Sequence, residues 1–308
     1  MRDLITFDVF TDTPFSGNPL AIVPDAAGLS TYQMQTLARE LNLSETIFVM
    51  PPDDPAHRAK VRIFFPTAEI PFAGHPTIGC AIYLSGLAEK QNDARTQMVL
   101  EEAAGLVPVI VQRLNGVLSA EFCAPVLPQL CRKIDDISLI AQALGLEAGD
   151  IGNAIITAPE AWEAGPSYLL IPVATRDALA RARPMGSAWE KLTTQARTIS
   201  AWLFVPDEEQ GFRARMFSPA GGTPEDPATG SAVVTFAGLL AHHGHCRGKE
   251  TRFSVTQGVE MGRPSTIKAV VAMTDATLSE VRISGSAVAI SSGRIKVPDD
   301  KVPSPDGV

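Results

Sequence analysis

Gly74-His75-Pro76-Thr77-Ile78-Gly79-Cys80-Ala81 and Glu225-Asp226-Pro227-Ala228-Thr229-Gly230-Ser231-Ala232 are two copies of one pattern. Each follows an Arg-x-Phe strand end and a proline: Arg62-Ile63-Phe64 with Pro66, and Arg215-Met216-Phe217 with Pro219. The copies align without a gap, so that His75 falls on Asp226, Pro76 on Pro227, Gly79 on Gly230, Cys80 on Ser231 and Ala81 on Ala232. An apolar run follows each, Ala81-Ile82-Tyr83-Leu84 and Val233-Val234-Thr235-Phe236-Ala237-Gly238-Leu239-Leu240. The repeating unit is a short strand, a loop and an apolar helix.

Proline suits the first helical position, because its missing N–H would be unpaired there anyway. The pattern therefore predicts Pro76 and Pro227 at the helix starts, with His75 and Asp226 near the N-caps. Small residues in the first turn (Gly79, Gly230, Ser231, Ala232) leave backbone N–H groups open to a ligand. A helix start so built attracts anions with about half a positive charge. The alternative is a pair of capped core helices whose glycines allow close packing on a sheet.

The 308 residues fit two domains of roughly 150 each. Hydrophobic content of 45% and charged content of 19% support a full core. A net charge of −8 and a pI near 5.2 argue against nucleic acid or an anionic membrane as partner. A small anionic substrate must then be held by local devices. The four cysteines, Cys80, Cys123, Cys131 and Cys246, show no Cys-x-x-Cys spacing and read as reduced thiols. The N-terminus enters a strand-like stretch without a signal peptide, and no apolar run nears the roughly 18 residues of a membrane span. These features predict a cytoplasmic protein.

Along the chain, Leu4 to Phe10 and Pro19 to Val23 read as paired strands around a turn at Ser16-Gly17-Asn18. Ser30 or Thr31 caps a helix ending near Leu41. Glu45 stands at the mouth of the strand Thr46-Ile47-Phe48-Val49-Met50. Exposed, it is a strand-end charge; recessed against Ile47 or Phe48, its raised pKa suits it to proton transfer. A helix over 76–88 and a meander of strands follow, and 124–129 is the candidate linker. In the second half, helices are predicted from Asp136, Arg176 and Ser187. His242, His243 and His245 follow the second apolar helix, where cations are favoured. A His-His-x-His metal site is the alternative there. The tail reads as antiparallel strands joined by glycine turns at Gly285 and Gly293. An all-round apolar helix must be surrounded, which predicts a curled sheet around a central helix, made twice. The repeated helix ends then face each other across a cleft.

Four motifs in order carry a family resemblance: Phe10 through Pro19 (FTDTPFSGNP), Ser44-Glu45-Thr46, Phe72-Ala73-Gly74-His75-Pro76-Thr77 and Glu225 through Ala232. With Gln257-Gly258 and Met261-Gly262-Arg263-Pro264-Ser265, they resemble the PhzF-like (phenazine-biosynthesis) isomerase family over essentially the whole chain. The resemblance implies a diaminopimelate-epimerase-like α+β fold of two pseudo-symmetric halves. These are drawn as 1–124 plus 287–308 and as 125–286. It also implies a homodimer and proton transfer without a cofactor or metal; the phenazine enzyme isomerises trans-2,3-dihydro-3-hydroxyanthranilate. Glu45 matches the family's proton-shuttling glutamate. His75, Asp226, Gly230, Ser231 and the backbone at Gly74 match residues lining its pocket. Asn18 falls in a loop that contributes an asparagine to the pocket in the wider fold.

Racemases of this fold place a cysteine at each helix start. Here Ala73 and Pro227 stand within a residue of those positions, which argues against two opposed thiol bases. The expected activity is a cofactor-independent isomerase of a small cyclic carboxylate, with Glu45, His75 and Asp226 in the chemistry. The alternatives are an epimerase or tautomerase of another amino or hydroxy acid, and a non-catalytic carboxylate-binding protein.

Overall fold

Alternating and β-branched segments dominate the chain, and the structure, a computed structural model, turns them into strands. It describes residues 1–87, 92–207 and 211–300. Seventeen strands and six α-helices lie among these residues. The first half holds β1 (Arg2–Val9), β2 (Asn18–Val23), α1 (Thr31–Leu41), β3 (Glu45–Met50), β4 (Ala59–Phe64), β5 (Glu69–Ile70), α2 (Gly74–Ser85), β6 (Ala94–Glu102), β7 (Gly105–Leu114) and β8 (Val117–Cys123). The second begins with β9 (Gln129–Lys133), α3 (Ile137–Leu144), β10 (Glu160–Glu163), β11 (Ser167–Pro172), α4 (Arg176–Arg181), α5 (Gly186–Ala196) and β12 (Ala201–Pro206). It continues through β13 (Gly211–Ser218), β14 (Thr223–Asp226), α6 (Gly230–His242), β15 (Glu250–Gln257), β16 (Ser265–Thr274) and β17 (Thr277–Ile295).

Strand pairing shows the duplication. In the first half β2 and β3 are parallel, β3 and β4 antiparallel, and β4 and β6 parallel. In the second half the same order is kept by β11 with β12, β12 with β13, and β13 with β15. The first set closes on itself, since β6, β7, β8, β17, β1 and β2 pair in succession. Helix α2 fills this ring: Gly74 to Ile82 is buried without interruption. Helix α6 fills the second curl, buried from Gly230 to Leu240. The all-round apolar helices are thus surrounded, as their sequences require.

The Arg-x-Phe repeat also has a structural reason. Arg62 grips Glu69 through Nε and Nη2 at 2.7 and 2.6 Å, and its guanidinium lies 5.1 Å from the Phe64 ring centre. Arg215 grips Glu225 the same way at 2.8 and 2.9 Å, over Phe217 at 4.7 Å. Each forked pair ties the strand before the loop to the short strand that returns from it. Those short strands, β5 and β14, deliver the chain to the two buried helices.

Several expectations are met and three are corrected. Ser30 caps α1 in a capping box with Gln33, and Asp136 caps α3. The prolines, however, do not open the helices. Helix α2 begins at Gly74, so Pro76 is its third residue, and α6 begins at Gly230, three residues after Pro227. Proline is tolerated throughout a first turn, because every N–H there lacks an intrahelical partner, so the motif does not fix the start. The expected last residue of the first helix, 88, lies outside the described residues. The second correction concerns Gly79, which is a packing residue. A Cβ there would come within 2.5 Å of Leu20 Cδ2 and 2.8 Å of Val9 Cγ2. Third, Gly285 and Gly293 are not turns, since both lie inside the 19-residue strand β17. Gly285 is needed because the Phe10 ring lies where its Cβ would be.

Candidate active site

The two helix starts meet. A Cβ on Gly74 would lie 3.3 Å from Gly230 Cα, and one on Gly230 would lie 3.5 Å from Gly74 Cα. Neither helix has a side-chain cap or an acidic residue in its first turn. Two positive helix ends are therefore held together with bare backbone at their tips. Phe10 wedges this junction. Its backbone is left-handed at φ 62°, unusual for a bulky residue, and its ring packs on both Gly285 and Gly230.

A cavity of about 430 Å³ opens beside the junction. Gly74, His75, Gly230, Ser231, Glu45 and Asp226 all line it. Phe65, Ile70, Phe72, Ile199 and Met216 form apolar walls, with Ser167, Ser200 and Ser218 among the polar lining. No lysine or arginine is among the lining residues.

Asn18 is the one expected site residue that does not reach the cavity wall. It is fully buried at the start of β2, and its Nδ2 donates to Asp226 Oδ1 at 2.9 Å and to the Ala228 carbonyl at 3.0 Å. It thus braces Asp226 from behind. Ser44 Oγ donates to the same Oδ1 at 3.0 Å, and Thr229 Oγ1 to Oδ2 at 2.5 Å. Gln257 completes the frame: its Nε2 donates to the Asp226 carbonyl at 2.7 Å and to Thr229 Oγ1 at 2.9 Å, while its Oε1 accepts from Trp202. Burial raises the Asp226 carboxyl, which the three side-chain donors partly pull back, to about 6. It is mostly ionised at neutral pH.

Glu45 opens β3, which pairs in parallel with β2 and brings its side chain beside that strand. It is 8% exposed, so it is recessed rather than a solvated strand end. Its Oε2 lies 3.1 Å from His75 Nδ1, without the alignment of a hydrogen bond, and has no other partner. Burial, followed by the Asp226 charge, pushes the Glu45 carboxyl well above the usual range. Burial pulls His75 down to about 3, against the opposing pull of the Pro19 carbonyl. The imidazole is therefore neutral, and its Nε2 is unpaired. A carboxyl raised by burial, a neutral imidazole and an ionised carboxylate share one wall.

Sequence reading missed Tyr168. It rises from β11 into the cavity and its hydroxyl lies 2.7 Å from Ser231 Oγ. Burial keeps that phenol protonated. Its isolated position in an apolar strand gave no signal. Ser44 and Gln257 stood within quoted motifs, but their partners are distant in the chain. None of the four cysteines lines the cavity. Cys80 is buried in α2, and its thiol is raised by burial. The three histidines at the end of α6 take different partners: His242 meets Trp162 edge-on, His243 meets Glu160 at 3.1 Å, and His245 meets the Ile155 carbonyl at 3.0 Å.

Comparison with known proteins shows the family. The phenazine biosynthesis-like protein family, PhzC-PhzF, matches residues 7–293. An uncharacterized isomerase of Mesorhizobium japonicum is 40% identical, with 96% of this chain and 98% of that protein covered. A trans-2,3-dihydro-3-hydroxyanthranilate isomerase of Pseudomonas chlororaphis is 34% identical, covering 96% and 99%. The crystal structure of a Bacillus anthracis PhzF-family protein superposes with a TM-score of 0.84 at 25% identity, covering 96% and 99% of the two chains.

Proposed function

The chain belongs to the phenazine biosynthesis-like family and is an isomerase, and we propose that it moves a proton on a small cyclic carboxylate without a cofactor. The reading takes trans-2,3-dihydro-3-hydroxyanthranilate as the substrate type, because the Pseudomonas chlororaphis relative bears that activity in its name. The observation that carries it is Glu45: a buried carboxyl with an unpaired oxygen, on the wall of a cavity that ends at two bare helix starts.

In this reading the substrate carboxylate sits at the backbone N–H groups near Gly74 and Gly230, with the Ser231 hydroxyl beside it. Abstraction of a C–H proton next to that carboxylate builds negative charge, which the helix ends stabilise in place. Glu45 in its ionised form takes the proton and returns it to another carbon on the same face, ending as it began. A high pKa makes it a stronger base once ionised, and the nearby Asp226 charge holds it in that range. Asp226 receives a substrate amine or hydroxyl, and neutral His75 relays or orients a proton. Asn18 acts through Asp226.

The experiment is an NMR assay with trans-2,3-dihydro-3-hydroxyanthranilate in heavy water, beside Glu45→Gln. Conversion with deuterium uptake, lost in the variant, is the expected result. Equal turnover by Glu45→Gln would remove Glu45 from the chemistry. Uptake of deuterium by a different amino or hydroxy acid would favour the epimerase or tautomerase reading. Binding without exchange would favour a carboxylate-binding protein. We also place the protein in the cytoplasm, supported by its four free cysteines, and read it as a homodimer of two-halved chains divided at 1–124 plus 287–308 and 125–286. Light scattering tests the dimer.

A further inference from the structure

Glu102 is a buried acid that the proton transfer does not use. It ends β6 beneath the first turn of α2 and is 8% exposed. Its Oε1 lies 2.7 Å from Thr77 Oγ1, and its Oε2 has no hydrogen-bond partner. The same Thr77 hydroxyl lies 2.8 Å from the Ala73 carbonyl. A hydroxyl has one proton to give. Against an ionised Glu102, Thr77 would face two acceptors and satisfy one. Both contacts are hydrogen bonds only when Glu102 keeps its proton and donates it to Thr77, which then donates its own to Ala73. Ala73 is the N-cap of α2 and lines the cavity.

The surroundings favour that neutral state. Cys80 faces Glu102 from α2, its own thiol held protonated by burial. Arg58 reaches the same region, with Nη2 bonded to the Leu84 carbonyl at 2.8 Å. The neighbouring Glu101 turns to the backbone of Asp53 and Asp54 and to His57. Burial pushes the Glu102 carboxyl up to about 8, and the Thr77 hydroxyl, if turned from Ala73 to donate to the ionised acid, opposes this only in part.

An ionised Glu102 would also set a negative charge under the helix end that is to hold the substrate. We propose that Glu102 is a positioning residue of the carboxylate site: as a neutral acid it orders the first turn of α2 through Thr77 and leaves the positive end of that helix to the substrate. This rests on the reading that a carboxylate binds at the helix starts.

The first test needs no ligand. The backbone amide signals of Gly74 and Thr77 are followed by NMR from about pH 7 to about pH 9 in the wild type and in Glu102→Gln. The expected result is a titration in the wild type that is absent in the variant. Signals that stay still in the wild type, or move alike in both, would overturn the proposal. Turnover supplies the second readout. The wild-type KM rises about tenfold across that range while kcat changes less, and the KM of Glu102→Gln stays flat. A KM in Glu102→Gln that climbs with the wild type's would also overturn it. If Glu102→Gln does not fold, Thr77→Val keeps the shape and removes the link. Its Gly74 titration then falls by at least half, and an undiminished titration counts against the proposal. A protein inactive on trans-2,3-dihydro-3-hydroxyanthranilate still reports through its amide signals. Failure of the substrate reading is thereby separated from failure of this one.

Discussion

Glu45 and Asp226 are buried to nearly the same depth, 8% and 7% exposed, yet they are treated oppositely. Asp226 receives three side-chain hydrogen bonds, from Asn18, Ser44 and Thr229. Glu45 has an orphaned oxygen beside a neutral imidazole. Desolvation raises both carboxyls, and the supply of donors decides how far. Asp226 settles near 6 and carries charge; Glu45 stands well above its usual range through burial and the Asp226 charge. In the proposed mechanism one acid is the anchor and the other the proton carrier. Such divergence between neighbouring carboxyls separates fixed from reactive groups in proton-transfer sites.

The most severe break is Glu45→Gln, which removes the proposed base. Turnover should drop by about 10²–10⁴-fold, read by NMR, with the fold intact by circular dichroism. Asp226→Asn comes next. It removes the charge that raises Glu45, so the Glu45 pKa falls and its limb of the pH–rate profile moves to lower pH. Activity at neutral pH should fall by about tenfold or more through loss of the anchor. A limb that stays in place would mean the two acids do not feel each other. Thr229→Val is gentler. With one donor gone, the Asp226 pKa rises above about 6, and the acid limb moves to higher pH by less than about one unit. Gly285→Ala has the smallest effect on chemistry. It displaces the Phe10 ring and costs about 1–3 kcal/mol, seen as a lower melting temperature.

How far these roles were legible depends on distance along the chain. The duplicated motif announced two buried helices, because an apolar run without a polar face has one stable setting. It did not announce where each helix begins. Gly79 aligns with Gly230 in sequence, but it is Gly74 that meets Gly230 across the junction. First-turn geometry tolerates proline and glycine at several offsets, so the local pattern is degenerate. Glu45 was legible as a strand-mouth acid, whereas its recess depends on β2 lying alongside. The Asp226 frame was hidden, since Asn18 and Ser44 approach it from 208 and 182 residues away. Glycine at 285 read as a turn because a strand cannot show, by its own sequence, that a distant ring needs the space.

Strand β17 carries a consequence for how the protein is made. Its second part, Ala287 to Ile295, pairs with β1, the first strand of the chain. Its first part belongs with β16 and β8. While the ribosome is still at work, the early half has its central helix but lacks the strand that seals its ring, leaving β1 and β8 with unpaired edges. Late arrival of a single segment then closes one half and joins it to the other. Long-range pairing of this kind makes assembly slow and exposes open strand edges in the nascent chain. Truncation within the last strand should therefore yield an aggregation-prone polypeptide and not a working first half.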